Sequence, residues 1–478
     1  MDRYVLAGGL LVSGKGKVRA NLVIEHGKVT GWISVPETSE LPVFHVQDHL
    51  ILPGLIDAHT HFHMASGDLF TVDDFAVGGK LAAAAGVTSV IDFIEPSPAQ
   101  GLLEAIEERF RDVRDCPVDY QFHLVIPHRL AREEDWYQLM ERYGLAALKG
   151  FTTYQEDGLA LDKQDVAALL AWSGKNSGLL TVHAEDEQGL KKTAADLLAQ
   201  GKTDMRNFPR SRPAGSEQTA VANILQLLEQ YSFDDGSIDR RTVASRIMNT
   251  GNPPGSANLY FVHISSALAL QTISEFRARS LRSVPWVETC PQFLVLDQSL
   301  YMEEMEPELY TVCPPLRTRS DREALWQGIR AGDVDVIASD HCAFTVEMKA
   351  SPSWTSVRAG LPAVDAILPV LVNVGIREKR VEWEDIVRVT AENPARIFRL
   401  QSKGSLSPGS DADFVVIDEN KLDGYVAPPL YSKAGYTPFL PEHLNRSWLR
   451  HVTRRGEFLL YDRKPAELMG KGQLISLS

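Results

Sequence analysis

Cysteine is scarce in this chain: four residues in 478, Cys116, Cys290, Cys313 and Cys342, widely spaced and without a CxxC pair. That spacing argues against a disulfide framework and against a structural zinc knuckle, and is what reduced thiols would show. Basic runs are also lacking, and the net charge is -14. Neither nucleic acid nor an anionic membrane surface is therefore an expected partner. No apolar stretch reaches the 18 residues a membrane span needs, and Met1–Gly9 lacks the basic, apolar and small-residue succession of a secretion signal. A cytoplasmic chain is expected. Internal repeats and low-complexity tracts are missing as well, and no GxGxxG loop follows the first strand of the long central region, which disfavours a dinucleotide-binding doubly wound sheet.

What is present is rhythm. Residues 1–52 read as short strands with turns, among them Tyr4–Leu6, Leu10–Val12, Asn21–Glu25 and Val29–Ile33, a small antiparallel β unit. Residues 53–399 then alternate apolar strands with helical stripes such as Leu102, Leu103, Ile106, Phe110 and Val113. The eight strand candidates are Leu50–Leu55, Val87–Asp92, Tyr120–Val125, Ala146–Lys149, Leu179–His183, Leu259–His263, Val284–Thr289 and Val334–Asp340. This predicts an α/β fold, a (β/α)8 barrel, with a small β-sandwich domain built from both termini, because residues 400–478 return to strands at Phe414–Ile417 and Leu459–Tyr461. Residues 230–258 read as a surface insertion, and 425–445, rich in proline and aromatics, as a surface loop or a tail docking on a neighbouring subunit.

In such a barrel the reacting groups sit at the carboxyl ends of the strands. Strand one ends in His59 and His61, whose two-residue spacing points both imidazoles to one side, a metal-ligand geometry. Strand four ends in Lys149, strand five in His183, strand six in His263 and strand eight in Asp340. Singly, each histidine is most simply a hydrogen-bonded loop residue, and Asp340 a helix cap with His341 beside it. Four histidines on one rim are not explained that way. Lys149 is the odd member, since an ammonium repels divalent metal; it must be neutralised, act as a Schiff-base amine, or be carboxylated into an anionic ligand.

The motifs around these residues resemble a known family. Gly-Leu-Ile-Asp-Ala-His59-Thr-His61, Lys149-Gly-Phe-Thr-Thr-Tyr154, Val-His183-Ala-Glu-Asp, Ser211-Arg212-Pro213, Val-His263-Ile-Ser, Glu288-Thr-Cys-Pro-Gln-Phe, Pro314-Pro315-Leu316-Arg317 and Ser339-Asp340-His341-Cys342 look like the successive signatures of the cyclic-amidohydrolase branch of the amidohydrolase superfamily, nearest its D-hydantoinase and dihydropyrimidinase group. The resemblance implies two divalent metal ions, usually zinc, bridged by a hydroxide and by Lys149 carboxylated with a CO2-derived group. His59, His61 and Asp340 would hold one metal, and His183 and His263 the other. Asp340 would shuttle the proton and Tyr154 would donate to the oxyanion. The implied reaction opens a hydantoin or dihydropyrimidine ring to an N-carbamoyl amino acid, and homotetramer (or homodimer) assembly comes with it.

Two positions depart from the group's pattern. Cys313 stands where hydantoinases commonly have serine at the substrate ring, and Ala359 stands where many relatives use asparagine. Phe62, His63, Met64 and Phe70, with Phe151, are candidates for the pocket of an apolar ring substituent, or for loop packing. Allantoin is the alternative substrate and dihydroorotate a further one. A non-catalytic scaffold relative is the reading from another class, and retention of six metal-site residues weighs against it.

Overall fold

The computed structural model describes residues 3–33, 41–97, 100–131, 135–230, 256–280, 283–426, 432–467 and 469–478. Eight parallel strands form one sheet in simple sequential order: Leu55–Thr60, Val87–Ile94, Asp119–Val125, Ala147–Phe151, Leu180–His183, Leu259–Phe261, Trp286–Thr289 and Val336–Ile337. The first and last strands meet where Asp340 N donates to His59 O at 2.9 Å and His61 N to His341 O at 2.8 Å. This closes the predicted (β/α)8 barrel. The helices between strands include Leu102–Asp112 and Ala214–Gln230, as the apolar stripes require. Most of the 230–258 insertion lies outside the described residues.

The first barrel strand is not where the apolar run suggested. Leu50–Pro53 belongs to the second sheet, paired with Phe414–Ile417 on one side and Leu10–Ser13 on the other. The barrel begins only at Leu55. Gly54 makes the crossing possible: its N–H donates to Asp413 O at 2.8 Å, and a Cβ there would meet Thr88 Oγ1 at 2.3 Å. The small β region has two sheets, one of four strands from the N-terminal part and one of seven strands from both ends of the chain. It is mixed rather than antiparallel, because Arg3–Ala7 runs parallel to Val43–His45. Residues 432–445 do not project as a tail. Lys433 N donates to Asp73 Oδ1 at 2.7 Å, Asn373 Nδ2 to Asn445 O at 2.8 Å, and Phe439 and Leu444 are buried against the chain's own core.

Two-residue alternation builds the barrel interior. Ile56, Ile91, Ala147, Tyr260, Trp286, Val336 and Ala338 cluster together, plugged by Phe398 and Leu400. Two residues further along the same sides of their strands stand Lys149, Glu288 and Asp340. An apolar floor thus carries a polar layer.

Barrel and β region are pinned by a buried cation. Lys403 Nζ lies 2.6 Å from Asp119, 2.9 Å from Asp411 and 2.7 Å from Asp413, with 2 % of its side chain exposed. The three carboxylates could crowd a metal, but the ammonium already stands among them. Burial alone would lower its pKa; Asp413, Asp119 and Asp411 instead hold it above the usual value. Its stabilisation is therefore complete below its unfolded pKa of about 10.4 and fades only as pH rises through the folded value. Lys403→Met is expected to cost about 3–5 kcal/mol at pH 7, as for a buried ion cluster stripped of one partner. Urea titration would show this as a lower midpoint at unchanged slope; an unmoved midpoint contradicts it.

Candidate metal centre

Six side chains predicted from strand ends converge at the barrel's mouth. His59 Nε2, His61 Nε2 and Asp340 Oδ1 lie 3.1, 3.1 and 3.3 Å apart pairwise. The His183 and His263 rings are 4.6 Å apart centre to centre, and His263 is 5.4 Å from His59. Lys149 Nζ reaches in over the rings of Phe93 and Phe151, 5.1 and 4.9 Å away. All six are buried. Asp340 and His263 adopt left-handed backbone, φ 52° and 39°, as does Tyr154 at 68°. Such conformations cost roughly 1–3 kcal/mol each and persist only where the surroundings enforce them.

Carboxylates fix the imidazoles from behind. His59 Nδ1 donates to Glu288 at 2.8 Å, His61 Nδ1 is 3.0 Å from Glu95, and His183 Nε2 donates to Glu185 at 2.8 Å. A carboxylate can only accept, so each ring's other nitrogen faces the centre. Glu288 also accepts from His263 N at 2.9 Å and Tyr260 Oη at 2.8 Å. The sequence could have disclosed these acids: Glu185 is two residues past His183, and Glu288 is the next-to-last residue of strand seven. Neither was singled out for a role.

The electrostatics divide the site. Burial opposes charge on His59 and His61, yet Glu288 and Asp340 hold His59 above its usual pKa, and Asp340 with Glu95 lifts His61 to about 9. A place that favours a proton this strongly suits a divalent cation. His183 and His263 are held below the usual value by burial and by cations that include Lys149. Burial likewise brings Lys149 down to about 8 despite Glu288, Asp340 and Glu95. His263 Nδ1 is buried without a hydrogen-bond partner. That orphan nitrogen and the convergent histidine–aspartate group fit a metal site.

Tyr154 stands beside this group, its ring 5.3 Å from His183. Burial, reinforced by Cys313 nearby, raises its pKa well above 10, so it stays an O–H donor. Arg212 Nη2 donates to the phenol oxygen at 3.3 Å while pairing with Glu185. Cys313 and Ala359 are half-buried, and Phe151 is a buried wall. Phe62 is elsewhere. It has no exposed surface and packs its ring edge against Phe75 and His341, because the chain turns after His61 and sends the next side chain into the core. His63 and Phe70 stack on each other at 4.6 Å on the exposed side of the loop, and Met64 is half-buried. His63 also lines an outer cavity of about 460 Å³ with Asp74, Asp112 and Lys433. His341 is buried, accepting from Ala363 N and Val364 N at 3.2 Å, with Nε2 3.2 Å from Asp73.

Known proteins share this architecture. Residues 268–473 match the amidohydrolase family. The D-phenylhydantoinase of Escherichia coli O1:K1 is 30% identical over 481 residues, covering 99% of this chain and 98% of that protein. The dihydropyrimidinase from Brevibacillus agri NCHU1002 superposes with TM-score 0.85 at 26% identity, over 100% of this chain and 99% of that one. The D-hydantoinase from Thermus sp., 22% identical, shares the fold at TM-score 0.87 over 99% of each chain. The chain belongs to the amidohydrolase family. Its place there is the cyclic-amidohydrolase branch. Membership implies divalent metal binding, and among the described residues no helix is long and apolar enough to cross a membrane.

Proposed function

We propose that this chain hydrolyses the amide bond of a hydantoin or dihydropyrimidine ring, yielding an N-carbamoyl amino acid. The observation that carries the reading is the convergence of four histidines, Lys149 and Asp340 on one point beside Tyr154, in a chain 30% identical to a D-phenylhydantoinase. His59, His61 and Asp340 would hold one divalent ion, His183 and His263 a second, and Lys149, carboxylated, would stand between them; zinc suits this nitrogen and oxygen donor set. The lowered pKa of Lys149 supports the modification, because only the neutral amine adds CO2. The bound ions would supply Lewis acidity, lowering the pKa of a water and polarising the scissile carbonyl.

The chain's own groups do the rest. Asp340, held far below the usual carboxylate pKa by His59 and His61 in spite of burial, is ionised and accepts the proton from the attacking water. It returns that proton to the ring nitrogen as the C–N bond breaks. Tyr154, its lone pair engaged by Arg212, directs its hydrogen to the oxygen on which charge develops. Phe93 and Phe151 keep bulk water from the Lys149 amine. Cys313 and Ala359 would border the ring, and Met64, His63 and Phe70 the substituent. Homotetramer (or homodimer) assembly belongs to the same reading by resemblance.

The test is ring opening by zinc-loaded protein on hydantoin, phenylhydantoin, dihydrouracil, allantoin and dihydroorotate. Turnover of hydantoins or dihydrouracil with release of the N-carbamoyl acid is expected. Opening of allantoin or dihydroorotate alone would reassign the substrate, and two bound metals with no ring opened would overturn the reading.

A further inference from the structure

A buried lysine takes no part in the chemistry above. Lys349, with no exposed surface, donates to Thr311 O at 3.0 Å and Gly360 O at 2.7 Å, and no carboxylate pairs with it among the described residues. A buried amine is costly unless its donors are satisfied, and both carbonyls take a hydrogen bond from this one. Gly360 N donates in turn to Thr311 O at 2.9 Å, and Thr311 Oγ1 lies 2.9 Å from Arg358 O. The loop after strand seven, which carries Cys313, and the loop after strand eight, which carries Ala359, are thereby welded into one strut.

From that strut Arg358 reaches to the neighbouring loop after strand one. Its Nη1 donates to Ser66 O at 2.9 Å and Ser66 Oγ at 3.2 Å. Ser66 lies in a hairpin, Ala65–Ser66 with Leu69–Phe70, that pairs with no other strand among the described residues. Its base is tied by Thr71 N to Met64 O at 2.9 Å and Met64 N to Thr71 Oγ1 at 2.8 Å. Leu69 and Phe70 near its tip are 40 % and 51 % exposed. A two-stranded ribbon of this length does not hold its position by its own pairing. Arg358 supplies a charged anchor that ties it to the adjacent loop after strand eight.

We infer that Arg358 is a positioning residue for substrate choice, holding the hairpin on the Lys349 strut so that Met64 and Phe70 form a fixed wall for the ring substituent. This rests on the cyclic-amide reading. The residue would act on substituted rings and be indifferent to a bare one.

The experiment compares wild type, Arg358→Ala and Arg358→Lys on 5-phenylhydantoin and unsubstituted hydantoin, with amide hydrogen exchange followed over residues 65–70. Arg358→Ala is expected to lower kcat/KM for phenylhydantoin about tenfold, the size of one lost charge-assisted hydrogen bond, while hydantoin stays within about twofold. Exchange in the hairpin should quicken, and Arg358→Lys, which keeps the charge on a side chain one bond shorter, should recover part of both effects. A wild type active on both rings with an unshifted ratio in Arg358→Ala overturns the role of Arg358 and leaves the reaction standing. A wild type that opens neither ring overturns the reaction and this inference together.

Discussion

Asp340→Asn is expected to lower kcat for ring opening by about 10³-fold or more, toward the upper end of what a positioned acid–base group contributes. The amide keeps the shape of the carboxylate and its oxygen near His59 and His61, so the loss should fall on kcat much more than on KM. Steady-state rates measured beside metal content separate two causes. Loss of rate with metal retained points to the proton transfer, whereas loss of both points to Asp340 as an essential ligand. Full activity in the variant would refute either role. Because the wild-type carboxylate is ionised throughout the neutral range, raising the pH should not restore the variant.

Lys149→Ala is expected to abolish activity and to release metal. Here the question is what the lysine is when it works. As an ammonium over Phe93 and Phe151 it opposes cations at His183 and His263, whose pKa values it helps to lower. As a carbamate it would reverse that sign and add two oxygen donors. Removing the side chain leaves a cavity of its own length next to the histidines. A short carboxylate such as acetate or propionate should therefore restore part of the activity to Lys149→Ala, whereas ethylamine should not. Rescue by the amine and not by the acid would contradict the anionic role.

Much of this site was legible in the sequence because barrel strands are apolar runs whose last residues stand out. His59, His61, Lys149, His183, His263 and Asp340 each close such a run, and they meet. The rest depended on choices that alternation cannot make. Leu50–Leu55 is apolar throughout, and nothing local says that the sheet changes at Gly54. Gly16–Arg19 and Leu449–Arg454 are strands carrying Lys, Arg or His and have no strong apolar pattern to announce them. Phe62 and Phe70 look alike as aromatics after a metal motif; only the packing of Phe75 and His341 sends one inward. The Arg358–Ser66 contact joins residues with no common local signal.

The interleaving of both ends in one sheet has a consequence for how the chain is made. Leu50–Pro53 gains its second neighbour only when Phe414–Ile417 has been synthesised. At roughly 5–20 residues per second a ribosome needs tens of seconds to deliver it. Throughout that interval an apolar strand, followed directly by the barrel's first, offers an unpaired edge. Closure of that sheet is a non-local pairing that cannot precede synthesis of Phe414–Ile417, and the strand it completes leads directly into the one that carries His59.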